Sequence, residues 1–245
     1  MKDKCNILGV SFTVAGLKEA ACYLTEHVKE LGGRYICFSN VHTTVTAKED
    51  EAYRAVLNGS VFTFADGKPI VTCLRKKGFP GAERVAGPDF MTEVFVRSEG
   101  TGISHFFYGS TEETLKQLSK VLSSRYPGLS VAGMISPPFR PLSDEEDAAM
   151  VERINASGAD LVWVGLGAPK QEKWMQAHQD KISGVMLGVG AGFDFHAGTV
   201  RRAPLWMQKC GLEWFYRLLQ DPGRLFKRYL VTNTKFLYYM MKKEK

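Results

Sequence analysis

The sequence predicts an α/β protein in which a Rossmann-like, mostly parallel sheet is flanked by helices and followed by a basic helical appendage. Short apolar runs alternate with amphipathic segments from residue 5 to about residue 200, as expected for strands joined by helical crossovers. Near Gly198 this pattern gives way to short helical segments rich in aromatic and basic residues. The 245 residues allow one large domain with an addition. We therefore expect a core at residues 1–198 and an appendage at residues 199–245.

Seven apolar runs and six amphipathic segments define the elements of the predicted core. The predicted strands are residues 5–12, 35–38, 61–65, 104–108, 130–134, 161–164 and 185–189. The predicted helices are residues 16–30, 43–57, 88–98, 112–126, 144–156 and 170–178. In such folds ligands bind at the carboxyl ends of the strands, so the residues just after each strand are the candidate site.

The basic charge is concentrated in the appendage. Residues 201–245 carry eleven Lys and Arg against three acidic residues, a net charge of +8, so the remaining residues contribute −2 to the total of +6. Aromatic residues are interleaved with these bases, a combination that suits the interface of an anionic membrane. No run of about eighteen apolar residues could span a bilayer. We expect a peripheral protein that binds an anionic membrane surface through the appendage.

Cysteine usage and the N-terminus predict a cytoplasmic protein without a metal site. The five cysteines are scattered, and none forms a pair at metal-ligand spacing. The N-terminal apolar run is broken by Gly9 and lacks the small-residue cleavage site of a signal peptide. The lone histidines His42 and His196 are better interpreted as packed or surface residues than as metal ligands.

Asp66 is the candidate catalytic residue. It follows a predicted strand directly and precedes Gly67, which would let a substrate approach the backbone. A carboxylate in that place could act as a general base, or it could only cap a turn, and spacing alone leaves both interpretations open.

Two glycine-rich segments and three arginines are candidates for binding phosphate. Gly165 begins a glycine-rich turn that opens a helix at Pro169 or Lys170, and such a helix start favours a diphosphate, although an ordinary turn is the alternative. Gly190 lies in a second segment, whose glycines allow either close approach of a ligand or tight packing. The three arginines recur at spacings of seven and four, which places them on one helix face if the helix is continuous. They are Arg217, Arg224 and Arg228, with Pro222 and Gly223 between the first two.

These segments together resemble the WecG/TagA/CpsF family of glycosyltransferases over nearly the whole chain. The matching motifs, in order, are Asn40-Val41-His42-Thr43, Ala65-Asp66-Gly67, Arg84-Val85-Ala86-Gly87-Pro88-Asp89, Gly165-Leu166-Gly167-Ala168-Pro169-Lys170-Gln171-Glu172, and Arg202-Ala203-Pro204 leading to Gly211-Leu212-Glu213-Trp214 and Arg217. Several separate motifs in one order are far more specific than any single motif.

The resemblance implies an inverting, metal-independent transferase without a cofactor, whose appendage helps to complete the active site. It gives Asp66 the role of the base and places Asn40, Arg84 and Gln171 in the pocket. The appendage arginines would hold the diphosphate. The full candidate substrate-binding set is Asn40, Thr43, Arg84, Gly165, Lys170, Gln171, Gly190, Arg217, Arg224 and Arg228. The absence of a D-x-D motif agrees with stabilisation of the leaving group by arginines and a helix start.

The resemblance also implies the substrates. In the TagA branch, N-acetylmannosamine passes from its UDP form to the 4-hydroxyl of N-acetylglucosamine on undecaprenyl diphosphate, an early step towards wall teichoic acid. Other branches use N-acetylmannosaminuronic acid or glucose. We expect a UDP-sugar donor, a polyprenyl-diphosphate-linked acceptor and a position at the cytoplasmic face of the membrane. Exposed apolar surface beneath the appendage could support self-association into a homo-oligomer in the absence of a membrane.

Two other classes of protein agree less well with the sequence. A basic tail with aromatics could bind nucleic acid, but that function leaves the polar strand ends unexplained, so we expect no nucleic-acid partner. A dinucleotide-dependent oxidoreductase would carry a glycine fingerprint at the first turn between strand and helix, and this turn lacks one.

Overall fold

The computed structural model describes residues 1 and 3–243, and the side chains of all of these except residues 209, 224 and 243. Its centre is a six-stranded parallel sheet with the order β4-β3-β8-β7-β5-β6. The strands are β3 (Tyr35–Ser39), β4 (Phe62–Ala65), β5 (Ser104–Gly109), β6 (Ser130–Ile135), β7 (Leu161–Gly165) and β8 (Val185–Gly188). The predicted α/β class with a parallel sheet is confirmed.

Helices cover both faces of the sheet and then continue beyond it. The first nine are α1 (Leu17–Glu26), α2 (Val41–Glu49), α3 (Glu51–Gly59), α4 (Lys68–Lys76), α5 (Gly87–Ser98), α6 (Glu112–Arg125), α7 (Asp144–Ala156), α8 (Lys170–Ala177) and α9 (Gly192–Ala197). Side chains of α1, α5, α6 and α9 form the core on one face, while α2, α3, α4, α7 and α8 pack on the other. Alternate residues of β3 supply both cores, with Tyr35 and Cys37 on one side and Ile36 and Phe38 on the other.

Strand β8 joins two halves of the sheet. It pairs with β3 through Ile36 and Leu187, and with β7 through Trp163 and Leu187. Every residue of β8 is buried, as expected for a central parallel strand covered on both faces. Among the described strands, the pair β3-β4 is therefore joined to the triple β7-β5-β6 through β8, the last sheet strand in the chain.

The N-terminal segment is a hairpin and not the single strand predicted for residues 5–12. Strands β1 (Lys4–Ile7) and β2 (Val10–Thr13) pair antiparallel as a separate two-stranded sheet. The chain reverses at Leu8 and Gly9, whose φ angles of 53° and 96° are those of a tight hairpin turn. The Asn6 side chain accepts a hydrogen bond from the Gly9 N–H at 3.0 Å and so stabilises the turn.

Two further differences concern helices. The segment predicted as one helix at residues 43–57 is two helices, because Asp50 ends α2 and its side chain caps α3 by accepting from the Tyr53 N–H at 3.0 Å. Helices α4 and α9 were not predicted, although Pro69 lies in the first turn of α4, a position that favours helix initiation.

Within residues 199–243 the appendage consists of three helices, and the last of them packs against α2. These are α10 (Leu205–Cys210), α11 (Glu213–Gln220) and α12 (Pro222–Lys243). Leu225 and Phe236 of α12 are buried. Glu49 at the end of α2 accepts hydrogen bonds from Lys235 and Tyr239. No described helix combines the length and the low polarity needed to cross a bilayer. The boundary between core and appendage near residue 198 stays a prediction.

Candidate active site

Asp66 lies at the carboxyl end of β4, where the chain leaves the sheet. Its N–H donates to the Ser39 carbonyl of β3 at 2.9 Å, and this bond keeps it next to the end of the neighbouring strand. Gly67 then adopts a φ of 134°, a region that favours glycine, and the chain turns directly into α4. The backbone therefore fixes the Asp66 carboxylate at the edge of the sheet that the sequence predicted.

The Asp66 carboxyl has an unusually high proton affinity. Burial in the crevice raises its pKa from the ordinary value of 3.8 to about 6. Arg84 and Arg217 lower the pKa, whereas the negative charges of Glu213 and Asp89 raise it. The nearest contact to a cation is long, with Arg84 Nη1 at 3.9 Å from Asp66 Oδ1. Asp66 thus remains without a direct charge-assisted hydrogen bond from Arg84.

Two arginines and two carboxylates form a closed ring beside Asp66, which we call the four-charge ring. Arg84 donates to Asp89 at 2.6 Å and to Glu213 at 3.1 Å. Arg202 contacts Asp89 at 2.5 Å and Glu213 at 3.4 Å. Each side chain is about one-fifth to one-quarter exposed, so solvent screens the ring only partly. Because Asp89 belongs to α5 and Glu213 to α11, the ring connects the core with the appendage.

Asn40 and Thr43 form the N-terminal cap of α2. The Asn40 side chain accepts from the N–H groups of His42 and Thr43, and the Thr43 hydroxyl accepts from the Asn40 N–H at 2.9 Å. Thr43 is buried and its hydroxyl also bonds to the Ser39 hydroxyl at 2.8 Å. Both residues thus shape the end of β3 next to Asp66, and a direct contact of either with substrate stays a prediction.

Gln171 joins two glycine-rich segments, which we call the glycine loops: residues 165–169, which begin with the last residue of β7, and residues 188–192, which begin with the last residue of β8. Its Oε1 accepts from the Gly167 N–H at 3.1 Å and from the Gly190 N–H at 3.0 Å. Its Nε2 donates to the Gly188 carbonyl at 2.9 Å. The side chain is 4% exposed. These two glycine N–H groups are therefore occupied by Gln171.

Glu172 holds the Gln171 amide in this orientation. It accepts from Gln171 Nε2 at 2.8 Å and from the Tyr53 hydroxyl at 3.2 Å. Glu172 is almost fully buried, and this burial raises its pKa. Tyr53, Glu172 and Gln171 form a buried chain that runs from α3 to both glycine loops.

The other candidates on these loops differ in their surroundings. A side chain at Gly165 would lie 2.8 Å from the ring of Phe193, so packing alone requires glycine there. Gly190 has a φ of 55°, in the left-handed region. Lys170 is exposed and is the first residue of α8, whose start lies at the predicted helix opening. A diphosphate contact of these three residues stays a prediction.

The appendage arginines lie in two places. The Arg217 guanidinium lies over the Phe195 ring, 5.5 Å from its centroid, and Arg202 lies 5.9 Å from the same ring. Arg228 is on α12, which begins at Pro222, while α11 ends at Gln220. Its Nε is buried without a hydrogen-bond partner, and its positive charge adds to burial in lowering the pKa of His42. The side chain of Arg224 lies outside the described part of the structure.

Sequence reasoning missed three members of this site as functional residues. Asp89, Arg202 and Glu213 all lie in the motifs singled out above, yet neither their spacing nor their residue types predicts that they meet. The signal that was present is charge in apolar surroundings, since Asp89 follows Pro88 at the start of α5 and Glu213 opens α11 between Leu212 and Trp214.

Within residues 1 and 3–243, no three His, Cys, Asp or Glu side chains are grouped so that they could hold a metal ion.

The fold and the crevice define an α/β protein with a carboxylate of raised pKa at the carboxyl edge of a parallel sheet and a basic helical segment beside it. Residues 5–245 match the glycosyl transferase WecG/TagA/CpsF family, and the chain belongs to this family. It is therefore a glycosyltransferase of the hexosyltransferase class. Membership implies a nucleotide-sugar donor and a lipid-linked sugar acceptor.

Proposed function

We propose that the protein transfers N-acetylmannosamine from its UDP form to the 4-hydroxyl of N-acetylglucosamine on undecaprenyl diphosphate, with inversion at the anomeric carbon. The product would serve the wall teichoic acid linkage unit or a related surface polysaccharide. The observation that carries this proposal is the Asp66 carboxyl, whose pKa is raised to about 6 at the carboxyl end of β4. Glycosyl transfer to a hydroxyl needs a base, and the position and raised pKa of Asp66 support its assignment to that role.

Asp66 accepts the proton of the attacking hydroxyl in this mechanism. The acceptor oxygen bonds to the anomeric carbon while the bond from that carbon to the UDP oxygen breaks, and the electron pair leaves with UDP. A carboxyl with a pKa near 6 is ionised at neutral pH and is a stronger base than an ordinary aspartate. Attack from the face opposite UDP inverts the configuration.

Cationic side chains of the appendage balance the charge of the departing UDP in this proposal. The four-charge ring is neutral and occupies Arg84 and Arg202, so the diphosphate needs other cations. Arg217, which lies over Phe195, and Arg228, whose Nε has no partner, are suitable guanidinium donors. Lys170 and the start of α8 add positive potential from the core side. On this basis we propose a metal-independent reaction.

A neutral donor sugar suits the crevice better than a uronate. The carboxylate of N-acetylmannosaminuronic acid would require an additional cation near the sugar. Arg84 and Arg202, the arginines of the ring next to Asp66, each pair already with two carboxylates. This favours N-acetylmannosamine or glucose over the uronate. Of these two donors we choose N-acetylmannosamine, the donor of the TagA branch.

We also propose that the reaction takes place at the cytoplasmic face of the membrane, to which the appendage binds. Large apolar side chains of α10, α11 and α12 are exposed beside basic residues, a pattern that suits insertion among anionic headgroups. They include Leu205, Trp206, Trp214, Phe215, Leu219, Phe226, Leu230, Leu237, Tyr238 and Met241. A lipid-linked acceptor would then reach the crevice from the surface that the appendage binds. Without a membrane, the same apolar surface favours self-association.

Release of UDP from UDP-N-acetylmannosamine tests the proposal. The reaction contains a short-chain lipid-diphosphate N-acetylglucosamine acceptor and a chelator, and it compares wild type, Asp66→Asn and Asp180→Asn. We expect acceptor-dependent release, a loss of about 10²–10⁴-fold in Asp66→Asn, and unchanged turnover in Asp180→Asn. Asp180 is a matched control because it lies before β8, at the opposite edge of the sheet.

Each outcome of this assay addresses one part of the proposal. Near-wild-type turnover of Asp66→Asn would exclude Asp66 as the base. Release from the uronate or glucose donor, but not from the N-acetylmannosamine donor, would replace the proposed sugar. Activity that requires a divalent ion would exclude the metal-independent mechanism.

A further inference from the structure

Asp66 adds a fifth charge, which is not balanced, beside the four-charge ring. The four-charge ring contains two guanidinium groups and two carboxylates, and its four contacts measure 2.5–3.4 Å. Asp66 stands outside this ring, 3.9 Å from Arg84. That separation allows an ion pair but exceeds the length of a hydrogen bond. The ring therefore balances its own charges and leaves Asp66 without a hydrogen bond from Arg84.

Glu213 competes with Asp66 for one nitrogen atom of Arg84. Nη1 of Arg84 is 3.1 Å from Glu213 Oε2 and 3.9 Å from Asp66 Oδ1, whereas Nη2 is held by Asp89. A movement of Nη1 by about 1 Å would exchange the first contact for a hydrogen bond to Asp66. A direct bond of this kind would stabilise the ionised carboxylate and weaken it as a base.

We infer that Glu213 is a positioning residue, which holds Arg84 in the four-charge ring and thereby keeps Asp66 free to accept the proton. This inference rests on the proposed role of Asp66 as the base. Glu213 is the first residue of α11, so the ring closes only when the appendage is docked. Docking of the appendage thus completes the catalytic apparatus through a carboxylate as well as through its arginines.

The other charged groups around Asp66 do not replace this function. Asp89 acts in the same direction as Glu213, but it belongs to the core and is present whether or not the appendage docks. Arg217 of α11 acts in the opposite direction, and Lys68 follows Asp66 at the start of α4. Among these groups, Glu213 is the anionic one that comes from the appendage and shares an arginine nitrogen with Asp66.

The pH dependence of kcat/KM for UDP release tests the inference in the full-length chain. Wild type should lose activity below about pH 6, where Asp66 becomes protonated. This loss of activity at low pH is the acid limb of the pH profile. In Glu213→Gln the acid limb should move down by about one pH unit, because Arg84 then turns to Asp66. The rate above the limb should fall, since the paired carboxylate is a weaker base. Glu213→Asp should restore part of both effects.

Two variants separate this mechanism from a general effect of charge or folding. Glu83→Gln removes the same charge from the residue next to Arg84, but Glu83 is exposed and accepts from the Leu17 N–H, so its acid limb should stay in place. In an Arg84→Met background, the shift caused by Glu213→Gln should shrink to less than half, because the competing guanidinium is absent.

The outcomes distinguish this inference from the proposed function. An unshifted acid limb in Glu213→Gln, or a full shift that persists without Arg84, would overturn the role of Glu213 even if Asp66→Asn is inactive. If Asp66→Asn is active, the assignment of the base fails first. A downward shift that depends on Arg84 and is absent in Glu83→Gln supports the inference.

Discussion

The glycine loops and the appendage lie at the same edge of the sheet but are held in different ways. Buried hydrogen bonds of a single amide, that of Gln171, connect the two loops. The appendage is attached by a few buried apolar side chains, such as Phe236, and by partly exposed ion pairs, while much of its apolar surface faces outward. The core side of the crevice is thus held by buried hydrogen bonds, whereas the appendage side is held by few buried side chains and by partly exposed ion pairs.

Removal of residues 199–245 should have the largest effect, because it deletes one complete side of the crevice. We expect UDP release to be abolished, since Arg202, Glu213 and Arg217 are lost together, while the core remains folded with its sheet intact. Circular dichroism measures whether the core remains folded. Binding to anionic vesicles is measured as well and should weaken. A truncated core that keeps its turnover would show that the appendage is dispensable for chemistry.

Gln171→Ala should weaken the core side of the crevice. The substitution leaves the N–H groups of Gly167 and Gly190 without their acceptor and should cost about 2–4 kcal/mol of unfolding free energy. Denaturant unfolding measures this loss, and Gln179→Ala, near the surface two residues after α8, is the matched control. Equal stability of both variants would mean that the loops do not depend on the amide.

Asp66→Asn should stabilise the protein at alkaline pH although it abolishes activity. A carboxyl with a raised pKa in the folded state stabilises the fold while it is protonated, and this contribution is lost as the pH rises from about 4 through 6. The neutral amide should therefore raise the free energy of unfolding by about 1–3 kcal/mol at pH 8 and by much less at pH 4. A lower stability of the variant at pH 8 would contradict the raised pKa.

Glu49→Gln should have the smallest effect. The Glu49 side chain is 37% exposed, and its ion pair with Lys235 should contribute less than about 1 kcal/mol. Tryptic cleavage of the appendage measures docking and should be nearly unchanged, because Leu225 and Phe236 remain buried. A large increase in cleavage would mean that charge, rather than apolar contact, holds α12 on α2.

The sequence predicted the elements of the sheet well, since each parallel strand is a short apolar run. It failed at residues 5–12, where an apolar run was taken for one strand although the chain reverses at Leu8 and Gly9. A polar Asn6 three residues before Gly9 was the available signal for a turn. The break between α2 and α3 was missed because Asp50 caps a helix without any proline or glycine beside it.

The candidate site could be predicted only where it follows from the end of a strand. Asp66 and the loop with Gly165 and Lys170 lie at the carboxyl edge for that reason. The four-charge ring could not be predicted, because Arg84 and Glu213 are 129 residues apart and meet only through docking of the appendage. The role of Gln171 was also hidden, since the hydrogen-bond partners of a buried amide depend on how two loops pack.

The position of β8 in the sheet has a consequence for the order in which the molecule can assemble. During synthesis the pair β3-β4 and the triple β7-β5-β6 emerge first, and no strand pairing joins them until residues 185–188 have left the ribosome. Asp66 and Gly165 belong to different halves. Sheet pairing can therefore bring the two sides of the crevice together only after β8 has emerged, shortly before the appendage itself emerges.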